Sequence, residues 1–128
     1  IELSDDAICA RMLKYGVTKD AYIIADYGGG GNQRIFNFRG GITLNDQTHT
    51  FNMFPAYKKP GSIKDGITIV QSYNVFVTKG SANVWNEYNL YRRRMDADGA
   101  FLPDPIDKDN HAMDAIRYVA IMHERGVF

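Results

Sequence analysis

Apolar residues near the start of the chain return at helical spacing. Ile8, Met12 and Tyr15 fall along one side of a helix that Ser4, followed by Asp5 and Asp6, is suited to cap and Gly16 to end. The period then changes. Ala21 to Ala25 is a short unbroken apolar run between Asp20 and the four glycines Gly28 to Gly31. Such a run predicts a strand buried on both faces, with Asp26 at its carboxyl end. Asn32 to Arg39 is open between a short helix and irregular chain, closed by Gly40 and Gly41, and Thr50 to Tyr57 is a second strand.

Helical spacing resumes after Pro60-Gly61-Ser62, where Ser62 and Asp65 predict a capping box and Ile63, Ile67 and Val70 one apolar stripe. Tyr73 to Thr78, rich in β-branched and aromatic residues, predicts another strand. Ser81 can cap a helix whose Val84, Trp85, Tyr88 and Tyr91 share a face assigned to the core. Asp96 to Gly99 is turn chemistry between two arms, Tyr91 to Met95 and Ala100 to Leu102, which predicts a small β-hairpin, and Pro103 and Pro105 mark an extended crossing. The last helix starts near Lys108, buries Ala112, Ala115, Ile116, Val119 and Ala120, and ends at Arg125-Gly126. Strands alternating with helices make an α/β chain with a largely parallel sheet, and 128 residues suit one domain spanning 1–128.

Composition narrows this only a little. With 45% hydrophobic and 23% charged residues the chain is globular in type. No apolar run nears the roughly 20 residues of a bilayer span, and the N-terminus lacks a signal-peptide pattern, so the expectation is a soluble intracellular protein. The single cysteine, Cys9, reads as a small buried apolar residue. Fifteen basic and fifteen acidic residues cancel, yet their placement is uneven. Lys58 to Arg94 holds seven basic residues against two acids, and Met95 onward three against seven. That split fits a surface meeting phosphates beside a carboxylate cluster that holds cations; it also fits an ordinary solvated surface.

Asp26 stands where α/β folds place ligands, at the carboxyl end of a strand before a Gly-rich turn, and it equally suits an Asx-turn or helix cap. The glycines fail the dinucleotide fingerprint, because Gln33 stands where the third glycine belongs, and no Gly-Lys-Ser/Thr exists for a Walker loop. On the last helix His111 and Asp114 are three apart and project from one polar face, with Asp107 about a turn earlier. Carboxylates with an imidazole suit Mg²⁺ or Mn²⁺, and the histidine could instead transfer protons; the same face also reads as solvated helix.

Two segments carry a family resemblance: Lys59-Pro60-Gly61-Ser62-Ile63-Lys64-Asp65-Gly66-Ile67, and Asp107-Lys108-Asp109-Asn110-His111-Ala112-Met113-Asp114-Ala115-Ile116-Arg117-Tyr118. Together with the Ala25-Asp26 strand end and Asn86 to Tyr91 they resemble, in order, the nuclease domain of phage terminase large subunits, over about residues 3 to 124. The resemblance implies a ribonuclease H-like mixed sheet flanked by helices, acting as an endonuclease that cuts concatemeric double-stranded DNA during packaging. It implies Asp26 and Asp114 as metal-holding catalytic residues and His111 as a histidine that some members carry beside the last aspartate; the basic stretch itself makes Lys58, Lys59, Lys64, Arg92 and Arg94 the expected DNA contacts. Two divalent ions roughly 3.5–4 Å apart can activate water on one side of a phosphodiester and stabilise the leaving oxygen on the other. The implied partners are the ATPase motor domain of the same protein, the portal and the small terminase subunit, in the host bacterial cytoplasm.

Family members carry a β-meander ahead of the Ser4 helix, whose first strand contributes a further catalytic aspartate. Nothing in this sequence corresponds to it, so the expectation is a domain lacking that meander, with an incomplete metal site and poor cutting by this chain alone. Two other readings compete. Asp26 to Gly30 superficially matches the Asp-x-Gly-x-Gly turn of S-adenosylmethionine-dependent methyltransferases; that reading wants an acidic ribose ligand some 20 residues on, where Asp46 lies in a polar turn. The other is a non-catalytic module docking on DNA or on the portal.

Overall fold

The computed structural model describes residues 3–92 and 111–128, with the backbone alone at positions 90–92. Helix α1, Asp5–Lys14, starts as its sequence dictates: the Ser4 hydroxyl accepts from the Ala7 N–H at 3.1 Å, two aspartates fill the first turn, and Gly16 turns the chain out at φ +83°. Strand β1, Tyr22–Ala25, leads through the glycines to α2, Gly31–Gly40, which settles the open segment as a helix. A hairpin of β2, Ile42–Leu44, and β3, Gln47–His49, follows. Asn45 and Asp46 both take positive φ between them, as a tight two-residue hairpin turn requires. The predicted second strand is β4, Asn52–Pro55.

Among the described residues the strands form two separate pairs, β1 parallel to β4 and β2 antiparallel to β3. Parallel partners need a crossover, and α2 with the hairpin supplies it. Ala25 pairs with Pro55, and the Ala56 N–H extends the ladder to the Ala25 carbonyl at 2.8 Å. The expectation that β1 is buried on both faces is corrected. Ile23 and Ala25 pack on the core, but Tyr22 is 52% exposed and stacks with Phe54 and Phe128. A two-stranded sheet has too little width to be covered twice.

The chain divides into two compact units, one running to Tyr57 and taking in Gly126–Phe128, the other Lys58–Arg125. The first unit's core is Cys9, Ile35, Phe38, Ile42, Phe51 and Met53, with the rings of Phe38 and Phe51 5.5 Å apart. Cys9 is buried as expected, and that burial, aided by Asp6, pushes its thiol pKa up. Tyr15 is 79% exposed, because the helix ends at its position and Cys9, Ile8 and Met12 make the inward stripe.

The second unit holds α3, Ser62–Gln71, α4, Ala82–Arg92, and α5, His111–Glu124. Five expectations change here. Gly61 in the left-handed conformation, not Ser62, sits at the N-cap of α3, so there is no capping box; Ser62 lies inside the helix and is buried. Ile63 points outward at 46% exposure while Gly66 is buried. Tyr73 to Thr78 forms no strand, and Val75 and Phe76 are exposed, since β-propensity is realised only beside a pairing partner. Trp85 and Tyr88 of α4 meet edge to face, 6.3 Å between centroids, and are 41% and 43% exposed instead of forming core. Tyr91 and Arg92 close α4, so the predicted hairpin arm begins in helix; the rest of the hairpin, both prolines, Asp107 and Lys108 lie outside the described residues. The end of α5 is as expected, with Gly126 at φ +79°. No helix among the described residues is long and apolar enough to cross a membrane.

Candidate functional site

Asp26 follows the last residue of β1 and is exposed. Its Oδ1 accepts from the Gly28 N–H at 3.0 Å, so the Asx-turn foreseen as one alternative is present and holds the carboxylate at the strand end. The glycines behind it have specific reasons. Gly29 and Gly30 adopt φ +58° and +89°, and a Cβ on Gly31 would come within 2.5 Å of the Asp26 carbonyl oxygen. The turn thus brings the start of α2 against the backbone of Asp26. Asp46 occupies the β2–β3 turn and not a strand end, which removes the position a methyltransferase-like ribose ligand would need.

In the second unit His111 is exposed at the first described residue of α5, and Asp114 is half-buried one turn on. Asp114 lies on the inward face of the helix. Arg117, Tyr118, Ile121 and Met122 are buried; of the residues expected to be core, Ala120 is buried while Ala115 and Val119 are exposed. The reason is that Arg117 behaves as an apolar residue along its stem and as a partner at its tip, donating from Nη2 to Asp114 Oδ1 at 2.7 Å. A pattern that counts every arginine as polar finds Ala120 but misses the side of the helix that Arg117 buries.

Glu87 of α4 is a residue that sequence reading gave no role. Both of its carboxylate oxygens accept from the Ala112 N–H, at 2.9 and 3.0 Å, answering one of the donors left over in the first turn of α5. No local signal reveals it, because donor and acceptor are 25 positions apart. Arg117 was legible in principle, since an aspartate three residues before an arginine on a helix makes a ready pair.

Lys58 and Lys59 are exposed immediately after Tyr57, where the chain leaves the first unit, and Lys64 is exposed on α3. Arg92 ends α4, its side chain lying outside the described residues, as does the whole of Arg94.

Carboxylates and an imidazole are donors of the kind that hard divalent cations take. By that chemistry Asp26, Asp114 and His111 fit Mg²⁺ or Mn²⁺. They are divided between the units, however, and among the described residues no three such side chains come together as a metal-holding group.

The chain matches the family described as Terminase RNAseH like domain over residues 32–121. Neither the curated proteins nor the solved structures contain a match. The matched stretch takes in α2 through most of α5, with the basic positions, His111 and Asp114, while Asp26 precedes it. With its mixed α/β architecture of small sheets flanked by helices, the chain belongs to the terminase RNase H-like domain family, a nuclease-type family.

Proposed function

We propose that this chain serves as the metal-dependent endonuclease domain of a viral DNA-packaging terminase large subunit, hydrolysing phosphodiester bonds of concatemeric double-stranded DNA. The observation that carries the reading is the pair His111 and Asp114, one turn apart in the first turn of α5, within the stretch that matches the terminase family. In this reading Asp26, Asp114 and His111 bind Mg²⁺ or Mn²⁺. A bound pair of such ions supplies an activated water and stabilises the departing oxygen. The protein's own groups do the remaining work. The Asx-turn keeps the Asp26 carboxylate at the end of β1, and Glu87 secures the first turn of α5. Lys58, Lys59, Lys64, Arg92 and Arg94 meet phosphates without regard to sequence. The ATPase motor domain of the same protein, the portal and the small terminase subunit are the partners, and the host bacterial cytoplasm is the setting.

Titration of the chain with Mn²⁺, followed by the electron-paramagnetic signal of the free ion, tests the ligand assignment. Asp26→Asn and Asp114→Asn should each weaken binding at least about tenfold, the lower end of what loss of even an outer-shell partner costs, without altering the circular dichroism. Unchanged affinity in both variants would sink the assignment.

A further inference from the structure

At the centre of the inward stripe of α5 lies a charged side chain. Arg117 is 6% exposed, and arginines are almost never buried to that degree unless their charge is answered. Its surroundings are specific. A Cβ on Gly66 of α3 would stand 2.1 Å from Arg117 Cγ, 2.7 Å from Cδ and 3.0 Å from Ile121 Cδ1. The stem of Arg117 therefore occupies the space that any other residue at position 66 would fill. The guanidinium lies 5.1 Å from the centre of the Tyr118 ring and donates to Asp114 Oδ1 at 2.7 Å. Among the described residues no buried side-chain polar atom lacks a hydrogen-bond partner, so this buried charge is satisfied where it stands.

We infer that Arg117 is the positioning residue for Asp114: packed against Gly66 and Tyr118, it holds the carboxylate by Oδ1 and so fixes the direction in which Oδ2 is presented to a divalent ion. The inference rests on the reading of Asp114 as a metal ligand. A carboxylate on a helix otherwise turns about two side-chain torsions, and partners of this kind are what orient metal ligands. A second effect opposes the first, because a guanidinium near a dication repels it. The two have opposite signs in the Mn²⁺ dissociation constant. Burial of the arginine argues that orientation prevails, since a group held by close packing of two helices cannot swing aside as an exposed arginine would.

The experiment is Mn²⁺ titration of the full chain as wild type, Arg117→Met, Arg117→Lys, Asp114→Asn and the Arg117→Met/Asp114→Asn double variant, with thermal melts to confirm folding. Methionine keeps much of the stem and removes the guanidinium, and should weaken Mn²⁺ binding about 10- to 100-fold. Lysine, which restores a charge and a donor without the fork, should recover part of the loss. In the Asp114→Asn background the Arg117→Met change should alter affinity less than about twofold, because its effect passes through that carboxylate. A merely structural arginine would lower the melting temperature and leave the Mn²⁺ constants alone. If Arg117→Met does not fold, Arg117→Lys decides: wild-type affinity in a folded lysine variant overturns the inference. Wild-type or tighter binding in Arg117→Met overturns it too, as does a full loss that persists without Asp114. All three results leave the proposed function standing so long as Asp114→Asn still weakens binding, whereas a wild type that binds no Mn²⁺ removes that function and this inference together.

Discussion

Single residues show how much of this protein rests on carboxylates with assigned partners. Asp5, which reads in the sequence only as part of a helix start, joins the two helices of the first unit. Its Oδ2 accepts from the Asn37 amide at 2.8 Å and its Oδ1 from Arg34 Nε at 2.7 Å, while Arg34 also donates to the Leu3 carbonyl. The Asn37 hydrogen bond, with Arg34 assisting and burial opposing, holds the Asp5 carboxyl below its ordinary pKa of 3.8. A carboxylate depressed in the folded state lends stability that is complete above its ordinary value and is lost as pH falls through the lower folded value. Asp5→Asn should therefore destabilise the chain near neutral pH and cost progressively less below about pH 3.8. Because the Arg34 side chain is 38% exposed, screening keeps the expected loss near about 1 kcal/mol. Urea melts of wild type and variant at pH 7 and pH 3 check it; an equal difference at both values would show that the contact is not the one lost.

At the scale of elements, the contact between α3 and α5 is decided by one missing side chain. Gly66 stands mid-helix, where glycine costs about 1 kcal/mol relative to alanine in an isolated helix. Here that ranking should reverse. Gly66→Ala places a methyl 2.1 Å from Arg117 Cγ, so helix propensity gains while packing loses, and overpacking of this kind costs about 1–3 kcal/mol. The expected result is a lower melting temperature, together with a change at Asp114 through Arg117; a stabilised Gly66→Ala variant would show that the two helices do not meet closely. The sequence marks Gly66 only as part of a motif. It could not show why glycine is needed, because the atoms that exclude a side chain come from a position 51 residues later.

Across the whole molecule, zero formal charge conceals a functional division in the proposed reading. The exposed Lys58 and Lys59 follow the end of β4, and they and Lys64 fall inside the family match. If they meet phosphates, replacing Lys58 and Lys59 by glutamine should weaken binding to unrelated duplexes to the same degree. It should also reduce the slope of log affinity against log salt by roughly two, one phosphate for each lysine. Filter binding or fluorescence anisotropy between about 50 and 200 mM salt measures the slope; an unchanged slope would mean that these lysines only face solvent.

What the sequence determined by itself is local. Ser4 and Gly16 bound α1, Gly126 ends α5, and β1 and β4 lie within the apolar runs that predict them, because caps, left-handed turns and short apolar runs depend on neighbours along the chain. The motifs around Ser62 to Ile67 and His111 to Tyr118 were legible for the same reason, and they carried the family. Tertiary structure decided what depends on distant neighbours. Among the described residues, Tyr73 to Thr78 has strand composition but no strand beside it, and Trp85 and Tyr88 have core composition but too little packed over them. The inward face of α5 proved to be the one that carries Asp114. A polar residue turns inward only where a partner and a vacant space await it, and Asp114 and Gly66 give Arg117 both; the space could appear only once α3 had packed against α5.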